Sequence, residues 1–250
     1  MSKTDFGYIP LNIANGIREF SVANPGKIAI IDGNRSISYR ELDIRSSQVA
    51  NFFISKGFKK GDRVAVISGN RMEYPEIVAG LSKAGLIAVL VNPRSVSREV
   101  EYFIRHSGSK GAVIESSLVP LIENYVFETS VEQILTMDSN DFGLNYEKTV
   151  TTQEKYDPFV FVDEREPFKI CYTSGTTGEP KGITISHRSR CLVFMATALE
   201  WGLGPDKTTI AVAAMYHGAG FAFNYAALFT GGQLVIQRKY DALDLLEMIN

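Results

Sequence analysis

Tyr172-Thr173-Ser174-Gly175-Thr176-Thr177-Gly178-Glu179-Pro180-Lys181-Gly182 is the stretch that indicates both the fold and the chemistry of this chain. Its residues 173–178 are all Thr, Ser or Gly, so small hydroxyls and exposed backbone N–H groups stand side by side. Glycine tolerates positive φ, and successive amides can therefore point into one concavity that suits a phosphate group. Lys181 adds a flexible positive charge of the kind found beside phosphates. The stretch predicts a phosphate-binding loop.

An ordinary surface loop has a similar composition, so the order of the residues matters more than their type. That order resembles the phosphate-binding signature of the adenylate-forming superfamily, which comprises acyl- and aryl-CoA synthetases, luciferases and peptide-synthetase adenylation domains. The match runs from Tyr172 to Gly182, with Glu179 at a permissive position. The stretch is not a Walker loop, because that motif requires Gly-Lys-Ser/Thr whereas Lys181 here lies between Pro180 and Gly182.

The resemblance implies an enzyme that joins ATP to a fatty or aromatic carboxylic acid, giving an acyl-adenylate and pyrophosphate. The acyl group then passes to a thiol, commonly that of coenzyme A. The expected cofactors and co-substrates are ATP, Mg²⁺ and coenzyme A. Lys181 is the expected catalytic residue, and no residue is assigned as a metal ligand. The residues expected to hold the nucleotide phosphates are Thr173, Ser174, Gly175, Thr176, Thr177, Gly178 and Lys181.

A second segment, 215–220, is similar to the part of the superfamily that borders the acid substrate. It reads Met-Tyr-His-Gly-Ala-Gly, although Ala214 precedes it where the superfamily usually has proline. A lone histidine in an apolar stretch is otherwise a core or capping residue. His217 also follows a predicted strand, at the sheet edge where open α/β folds bind ligands. The resemblance therefore implies that His217 and Gly218 lie at the substrate carboxylate.

Other polar residues are predicted to be structural. His187 follows the helix-capping Ser186 and is expected to anchor a helix rather than transfer protons. His106 is expected at a helix end or in solvent, and the three histidines form no metal site. Glu164 and Glu166 lie in an acidic segment and are expected to form a solvated face.

Predicted strands alternate with helices of about 10–20 residues, a pattern that favours an α/β fold with doubly wound, mostly parallel sheets and flanking helices. Ser38 and Glu41 form a predicted capping box for a helix ending near Lys56. Segment 138–167 is predicted to be a surface connection with one strand near Phe159–Val162. The other predicted strands are 27–31, 36–38, 63–68, 86–91, 112–115, 133–137, 168–172, 183–186, 210–214 and 233–237. The predicted helices are 11–22, 38–56, 73–84, 97–106, 118–123, 187–201, 220–229 and 243–249.

All 250 residues are expected to belong to part of the N-terminal AMP-binding domain that the resemblance implies. Residues 1–60 plus 188–250 are predicted to form one α/β half and residues 61–187 the other. The superfamily's Tyr-Gly-x-Thr-Glu motif and its later Thr-Gly-Asp motif are not found, and the C-terminal domain is expected to be absent. A piece of a longer synthetase is favoured over a natural truncation. Such a piece is expected to bind nucleotide weakly and to be inactive alone.

Bulk properties favour a globular protein with 45% hydrophobic and 22% charged residues. A net charge of −2 gives no electrostatic case for nucleic acid. The 30 residues from Thr208 to Gln237 carry no charge, yet their polar residues and glycines argue against a membrane span. No secretory signal is seen at the N-terminus. Cys171 and Cys191 are expected to be buried free thiols, and these two observations together favour the cytoplasm.

Two alternatives to a CoA synthetase stay open. The chain is either a non-catalytic nucleotide-binding or interaction module, as the missing later motifs suggest, or an adenylation domain that loads a carrier protein. The sequence does not identify the carboxylic acid, the acceptor thiol or the oligomeric state.

Overall fold

The computed structural model describes residues 9–138, 141–173 and 180–249. The helices are α1 Asn15–Ala23, α2 Tyr39–Ser55, α3 Glu73–Lys83, α4 Ser97–Ser107, α5 Tyr146–Val150, α6 His187–Trp201, α7 Gly218–Phe229 and α8 Ala242–Ile249. The strands are β1 Ile28–Asp32, β2 Arg35–Ser38, β3 Arg63–Ile67, β4 Ile87–Val91, β5 Ser109–Glu115, β6 Gln133–Met137, β7 Leu144–Asn145, β8 Pro167–Thr173, β9 Lys181–Ser186, β10 Thr208–Ala211 and β11 Gln233–Ile236. Short 3₁₀ helices lie at Ser116–Leu121 and Val126–Glu128.

The strands form two sheets. The small sheet has the order β10-β11-β1-β2, in which only the β1–β2 hairpin is antiparallel. The large sheet has the order β7-β6-β5-β3-β4-β8-β9, in which only β9 runs antiparallel to its neighbour β8. The predicted α/β fold with mostly parallel sheets and flanking helices is confirmed.

The hydrophobic core lies between the two sheets and extends over the far face of the large one. The first cluster joins Ile30 of the small sheet to Val64 of the large sheet, with Phe53 of α2 and Phe221 of α7. A second cluster packs α4 and the 3₁₀ helices against the other face of the large sheet. All five residues of β4 are buried, as expected for a parallel strand that is covered on both faces.

Local signals set many element boundaries. The capping box of α2 is present, because Ser38 Oγ accepts from the Glu41 N–H at 3.3 Å and the Glu41 carboxylate accepts from the Ser38 N–H at 2.7 Å. Strand β6 and helix α6 have the predicted bounds. Helix α1 begins at Asn15 rather than Leu11, because the Asn12 side chain accepts from the Ala14 N–H at 2.9 Å and forms a turn there.

The prediction of a strand near Phe159–Val162 is wrong. Alternating Phe and Val residues imitate a strand, but no described strand pairs with this segment, and Phe159 has a φ of 48°. Its N–H instead donates to Asp157 Oδ1 at 2.9 Å, which forms a tight turn. The regular structure of this connection lies earlier, in β7 and α5.

The uncharged stretch 208–237 divides into β10, α7 and β11. No helix among the described residues has both the length and the apolar character that crossing a bilayer requires.

Candidate active site

A cleft of about 910 Å³ opens at the carboxyl ends of β4 and β8. Thr173 and Pro180, two described residues of the predicted phosphate loop, line the cleft together with His217 and Gly218. The remaining lining residues come from β4 and the turn after it, from α4, and from β8, β9 and residue 216. The cleft therefore brings the end of the predicted loop and both predicted substrate residues into one space.

Thr173 and Lys181 stand opposite each other where the loop joins the sheet. Thr173 is the last residue of β8, Lys181 is the first of β9, and the two are partners in the antiparallel ladder. Directly opposed residues present their side chains on the same face, and both residues are exposed. Five other predicted phosphate-binding residues lie outside the described residues, namely Ser174, Gly175, Thr176, Thr177 and Gly178.

Aromatic side chains of α4 contact the end of β8 and Pro180 of the predicted loop. The Tyr102 hydroxyl donates to the Pro180 carbonyl at 3.1 Å. Phe103 stacks on Tyr172 with 4.3 Å between ring centroids, and His106 Nδ1 lies 2.9 Å from the Tyr172 hydroxyl. Burial raises the pKa of Tyr172 to about 12, so its hydroxyl stays protonated at neutral pH. The predicted helix-end residue His106 therefore lies exposed on α4 beside this cluster.

His217 occupies the N-cap position of α7, and Gly218 is the first residue of that helix. The His217 N–H donates to the Ala214 carbonyl at 3.1 Å, and the exposed imidazole makes no capping hydrogen bond to α7. The first turn of α7 borders the cleft at Gly218. Unpaired N–H groups at a helix N-terminus carry partial positive charge, so this part of the cleft favours an anion.

Asn70 fixes the turn that carries His217, although the sequence did not mark it as a site residue. Its Oδ1 accepts from the Met215 N–H at 2.8 Å. Its Nδ2 donates to the carbonyls of Ala211 at 3.0 Å and Ala213 at 3.2 Å. These bonds draw residues 211–215 away from the ladder, and β10 ends at Ala211 rather than at the predicted residue 214.

Gly220 lets the same turn lie directly against α7. A Cβ at this position would lie 2.1 Å from the Ala214 carbonyl oxygen, far inside van der Waals contact. At Gly218, by contrast, a Cβ would meet nothing within 4 Å. The close approach at Gly220 therefore sets how the segment before α7 enters the helix.

Arginine–carboxylate pairs join residues at or just after the carboxyl ends of several strands. Arg71 binds Asp138 through two bonds of 2.7 and 2.8 Å and binds Glu73 at 2.7 Å. Arg35 reaches the same Glu73 at 2.7 Å, and Arg238 forms a two-bond pair with Asp32 in β1. Burial alone would raise the pKa of Glu73, but the bonds from Arg71 and Arg35 outweigh it and lower the pKa to about 2.

Two predictions about exposure to solvent are wrong, namely that Glu164 is solvated and that Cys171 is buried. Glu164 is buried rather than solvated, because it pairs with Arg188 and accepts from the Leu11 N–H at 3.3 Å. Glu166 is partly exposed and pairs with Lys60 at 2.8 Å. Cys191 is buried, whereas Cys171 is only half-buried because it lies in the wall of the cleft.

His187 is fully buried at the start of α6, where its Nδ1 accepts from the Ile13 N–H at 3.3 Å. Burial lowers its pKa to about 3, so the imidazole is neutral at physiological pH. Its backbone N–H donates to the Glu166 carbonyl at 3.1 Å. His187 therefore lies within the packing between α6 and the N-terminal segment, away from the cleft.

Within the described parts of the chain, no group of three or more His, Cys, Asp or Glu residues could hold a metal ion. Donors that line the cleft among the described residues include the Thr173 hydroxyl, the Arg98 guanidinium and the amides of the first turn of α7, with Lys181 beside Thr173. This set suits a phosphate or a carboxylate better than a cation.

Comparison with known proteins identifies the family of this chain. The profile of the family described as AMP-binding enzyme matches residues 17–250. The chain is 29% identical over 209 residues to a medium-chain-fatty-acid–CoA ligase of Ectopseudomonas oleovorans, covering 79% of this chain and 38% of that protein. It is 30% identical over 219 residues to a long-chain-fatty-acid–CoA ligase of Thermus thermophilus, covering 85% of this chain and 40% of that protein. A benzoate–CoA ligase of Arabidopsis thaliana is 25% identical over 259 residues, covering 96% of this chain and 45% of that protein. The chain thus spans less than half the length of these relatives.

Solved structures show the same fold. The anthranilate CoA ligase AuaEII in complex with anthranoyl-AMP superimposes with a TM-score of 0.88 at 23% identity, over 96% of this chain and 48% of that one. A long-chain-fatty-acid–CoA ligase of Archaeoglobus fulgidus also gives a TM-score of 0.88 at 23% identity, over 97% of this chain and 50% of that one. By its sequence, the chain belongs to the AMP-binding enzyme family, and the relatives named above are acyl- and aryl-CoA ligases.

Proposed function

We propose that this chain is the N-terminal part of an AMP-forming acid–thiol ligase, which activates a fatty or aromatic carboxylic acid and transfers it to coenzyme A. One observation carries the proposal: a single cleft is lined by Thr173 and Pro180 of the predicted phosphate loop and by His217 and Gly218. ATP, Mg²⁺ and coenzyme A are the proposed co-substrates, in keeping with the family.

The chemical difficulty of this reaction is electrostatic. A carboxylate must approach the α-phosphate of ATP, although both groups are negative. Donors that are already oriented offset this repulsion and stabilise the departing pyrophosphate, without the reorganisation that water would need. The first-turn amides of α7 are donors of this kind because the helix fixes them, and the Thr173 hydroxyl and the positive charge of Lys181 add to them.

Each part of the site has a proposed task. Ser174 to Gly178 surround the β- and γ-phosphates, while Lys181 supplies positive charge as the pyrophosphate departs. Tyr102 fixes the end of the loop through its bond to the Pro180 carbonyl. His217 borders the carboxylate of the acid. Bound MgATP supplies the adenylyl group, and none of the described residues is proposed as a ligand of its metal ion.

The proposed enzyme is longer than these 250 residues, since the chain spans less than half of the relatives it matches. The remaining residues would supply the adenine, ribose and coenzyme A contacts. We also propose the division into residues 1–60 plus 188–250 and residues 61–187, because the small sheet takes its strands from 28–38 and 208–236 and the large sheet from 63–186. The free thiols of Cys171 and Cys191 suit a reducing compartment such as the cytoplasm.

Carboxylate-dependent exchange of labelled pyrophosphate into ATP tests the proposal. The complete product of the encoding gene should catalyse exchange only when a suitable acid is present. A panel of fatty, aromatic and dicarboxylic acids identifies the class of acid. MgATP binding without exchange across the whole panel would contradict the ligase and support a non-catalytic nucleotide-binding module. Product formation with a phosphopantetheine carrier but not with coenzyme A would reassign the acceptor.

A further inference from the structure

Two buried cations lie side by side beneath the cleft. The Lys169 side chain, on β8, is completely buried, and Arg190, on α6, is 8% exposed. Lys169 Nζ lies 4.3 Å from the centroid of the Phe221 ring, and Arg190 Cζ lies 5.9 Å from the same centroid. One aromatic ring of α7 thus contacts both positive charges.

Neither cation has a carboxylate to balance it among the described residues. No described oxygen accepts from Lys169 Nζ or Arg190 Nε, and Arg190 Nη1 reaches only the Gly218 carbonyl, at 3.5 Å. Burial lowers the pKa of Lys169 to about 8; the nearby Cys171 thiol opposes this shift and Arg190 adds to it. Buried charges in proteins are normally paired, because an unpaired charge loses its hydration without gaining a compensating partner.

Lys83 shows how this fold treats a buried lysine that has only a structural role. Lys83 is also completely buried, but its Nζ donates to Asp43 Oδ1 at 2.6 Å and to Ser47 Oγ at 2.9 Å. Asp157 approaches the same nitrogen to 3.4 Å. The contrast indicates that Lys169, unlike Lys83, has no carboxylate partner among the described side chains.

The cation pair lies directly behind the wall of the cleft. Cys171, which lines the cleft, is two residues from Lys169 and therefore on the same face of β8. Gly218, which also lines it, accepts the bond from Arg190 and begins α7. An anion lying between Cys171 and the first turn of α7 would meet both cations and the helix N-terminus together.

We propose that this inner end of the cleft binds a second anionic group of the acid, so that the substrate is a dicarboxylic acid or an acid with another negative substituent. Cys171, beside which the anion would lie, is two residues from Thr173 along β8, which corresponds to about 7 Å of strand. This distance, which suits the separation of the two carboxylates of adipate, separates the anion from the phosphate loop, where the carboxylate that is activated must lie. The inference rests on the proposed function only in taking the anion to be part of the acid substrate.

Thermal unfolding of the 250-residue chain tests the subsite without requiring catalysis. Adipate should raise Tm by about 2–4 °C at a concentration well above its Kd, whereas the neutral diamide of the same length should not. Lys169→Met should abolish the adipate effect and raise the Tm of the ligand-free chain, because it removes an unbalanced buried charge. Arg190→Leu provides a second variant, and the exposed Lys239→Met is the matched control that should leave the adipate effect intact. A lower Tm for ligand-free Lys169→Met than for ligand-free wild type would contradict the presence of an unbalanced buried charge. An increase in Tm from inorganic phosphate equal to that from adipate would overturn the assignment of the subsite to an acid.

Pyrophosphate exchange by the complete protein then compares adipate with adipamate, whose distal carboxylate is replaced by an amide. The wild-type protein should prefer adipate by at least about tenfold in kcat/KM, and Lys169→Met should lose that preference. Equal rates for the two acids in the wild-type protein would refute the subsite and leave the proposed ligase function standing. Failure of exchange with every acid would reject the ligase, while the Tm series would still decide whether the chain binds the anion.

Discussion

Asn70 and Met215 join the two sheets through a hydrogen bond of 2.8 Å between the side-chain oxygen of Asn70 and the backbone N–H of Met215. Asn70 follows β3 of the large sheet, whereas Met215 follows β10 of the small sheet and lies two residues before His217. The position of His217 in the cleft thus depends on one amide side chain that lies 145 residues before Met215 in the chain.

Replacing Asn70 by Ala should lower the free energy of unfolding by about 2–3 kcal/mol, because it leaves a buried N–H and buried carbonyls without partners. Urea unfolding measures this loss. Asn51→Ala is the matched control: it removes bonds of 2.8 Å to two carbonyls, but at an exposed site, and should cost less than about 1 kcal/mol. Similar losses for the two variants would show that Asn70 has no special role.

Acid should weaken the ion pairs that Glu73 forms with Arg71 and Arg35. The folded-state pKa of Glu73 is about 2, well below the ordinary value of 4.5, so its stabilisation is complete above pH 4.5 and is lost as the pH falls towards 2. The shift corresponds to about 3 kcal/mol at neutral pH. In urea unfolding from pH 7 to pH 3, the stability difference between wild type and Glu73→Gln should therefore shrink below pH 4.5. A difference that stays constant over this range would contradict the assignment.

Gly220→Ala should disrupt the turn before α7, since the new Cβ would lie 2.1 Å from the Ala214 carbonyl oxygen. We expect a loss of at least about 3 kcal/mol in the free energy of unfolding. Gly218→Ala, two residues earlier in the same helix, meets nothing within 4 Å and should be neutral or slightly stabilising. Circular dichroism during thermal unfolding distinguishes the two variants, and an unaffected Gly220→Ala protein would show that the turn can rearrange.

Tyr102→Phe should weaken nucleotide binding without unfolding the chain, because it removes the bond to the Pro180 carbonyl at the end of the loop. One neutral hydrogen bond corresponds to an increase of about 2- to 10-fold in the Kd for MgATP. Isothermal titration calorimetry measures the change, with the exposed Tyr156→Phe as control. Equal affinities for these two variants would remove Tyr102 from the support of the loop.

Sequence predicts best those features that neighbouring residues determine. The bounds of α6 follow from the Ser186 cap, whose Oγ accepts from the Ser189 N–H at 3.2 Å, and from Gly202, which ends the helix with a φ of 64°. The strand near Phe159–Val162 was wrong because its alternation is also local, whereas a strand requires a neighbour that the sequence does not reveal.

Site residues that act over long range were missed for the same reason. Asn70 has partners up to 167 residues away, and nothing in the sequence around it indicates them. Lys169 offered one detectable signal, a lysine within the otherwise apolar strand Phe168–Tyr172. That no described carboxylate pairs with Lys169 or Arg190 follows only from the packing of α6 against β8, which local sequence does not reveal.

The affinity of the 250-residue chain for MgATP tests the central claim most directly, because Lys181 is assigned to the nucleotide phosphates. Calorimetric titration should detect binding by the wild-type chain and a Kd at least about tenfold higher for Lys181→Ala, the loss expected for one charge-assisted contact. The exposed Lys155→Ala variant should bind like wild type. Equal affinities for Lys181→Ala and wild type, or no binding by either, would contradict the account.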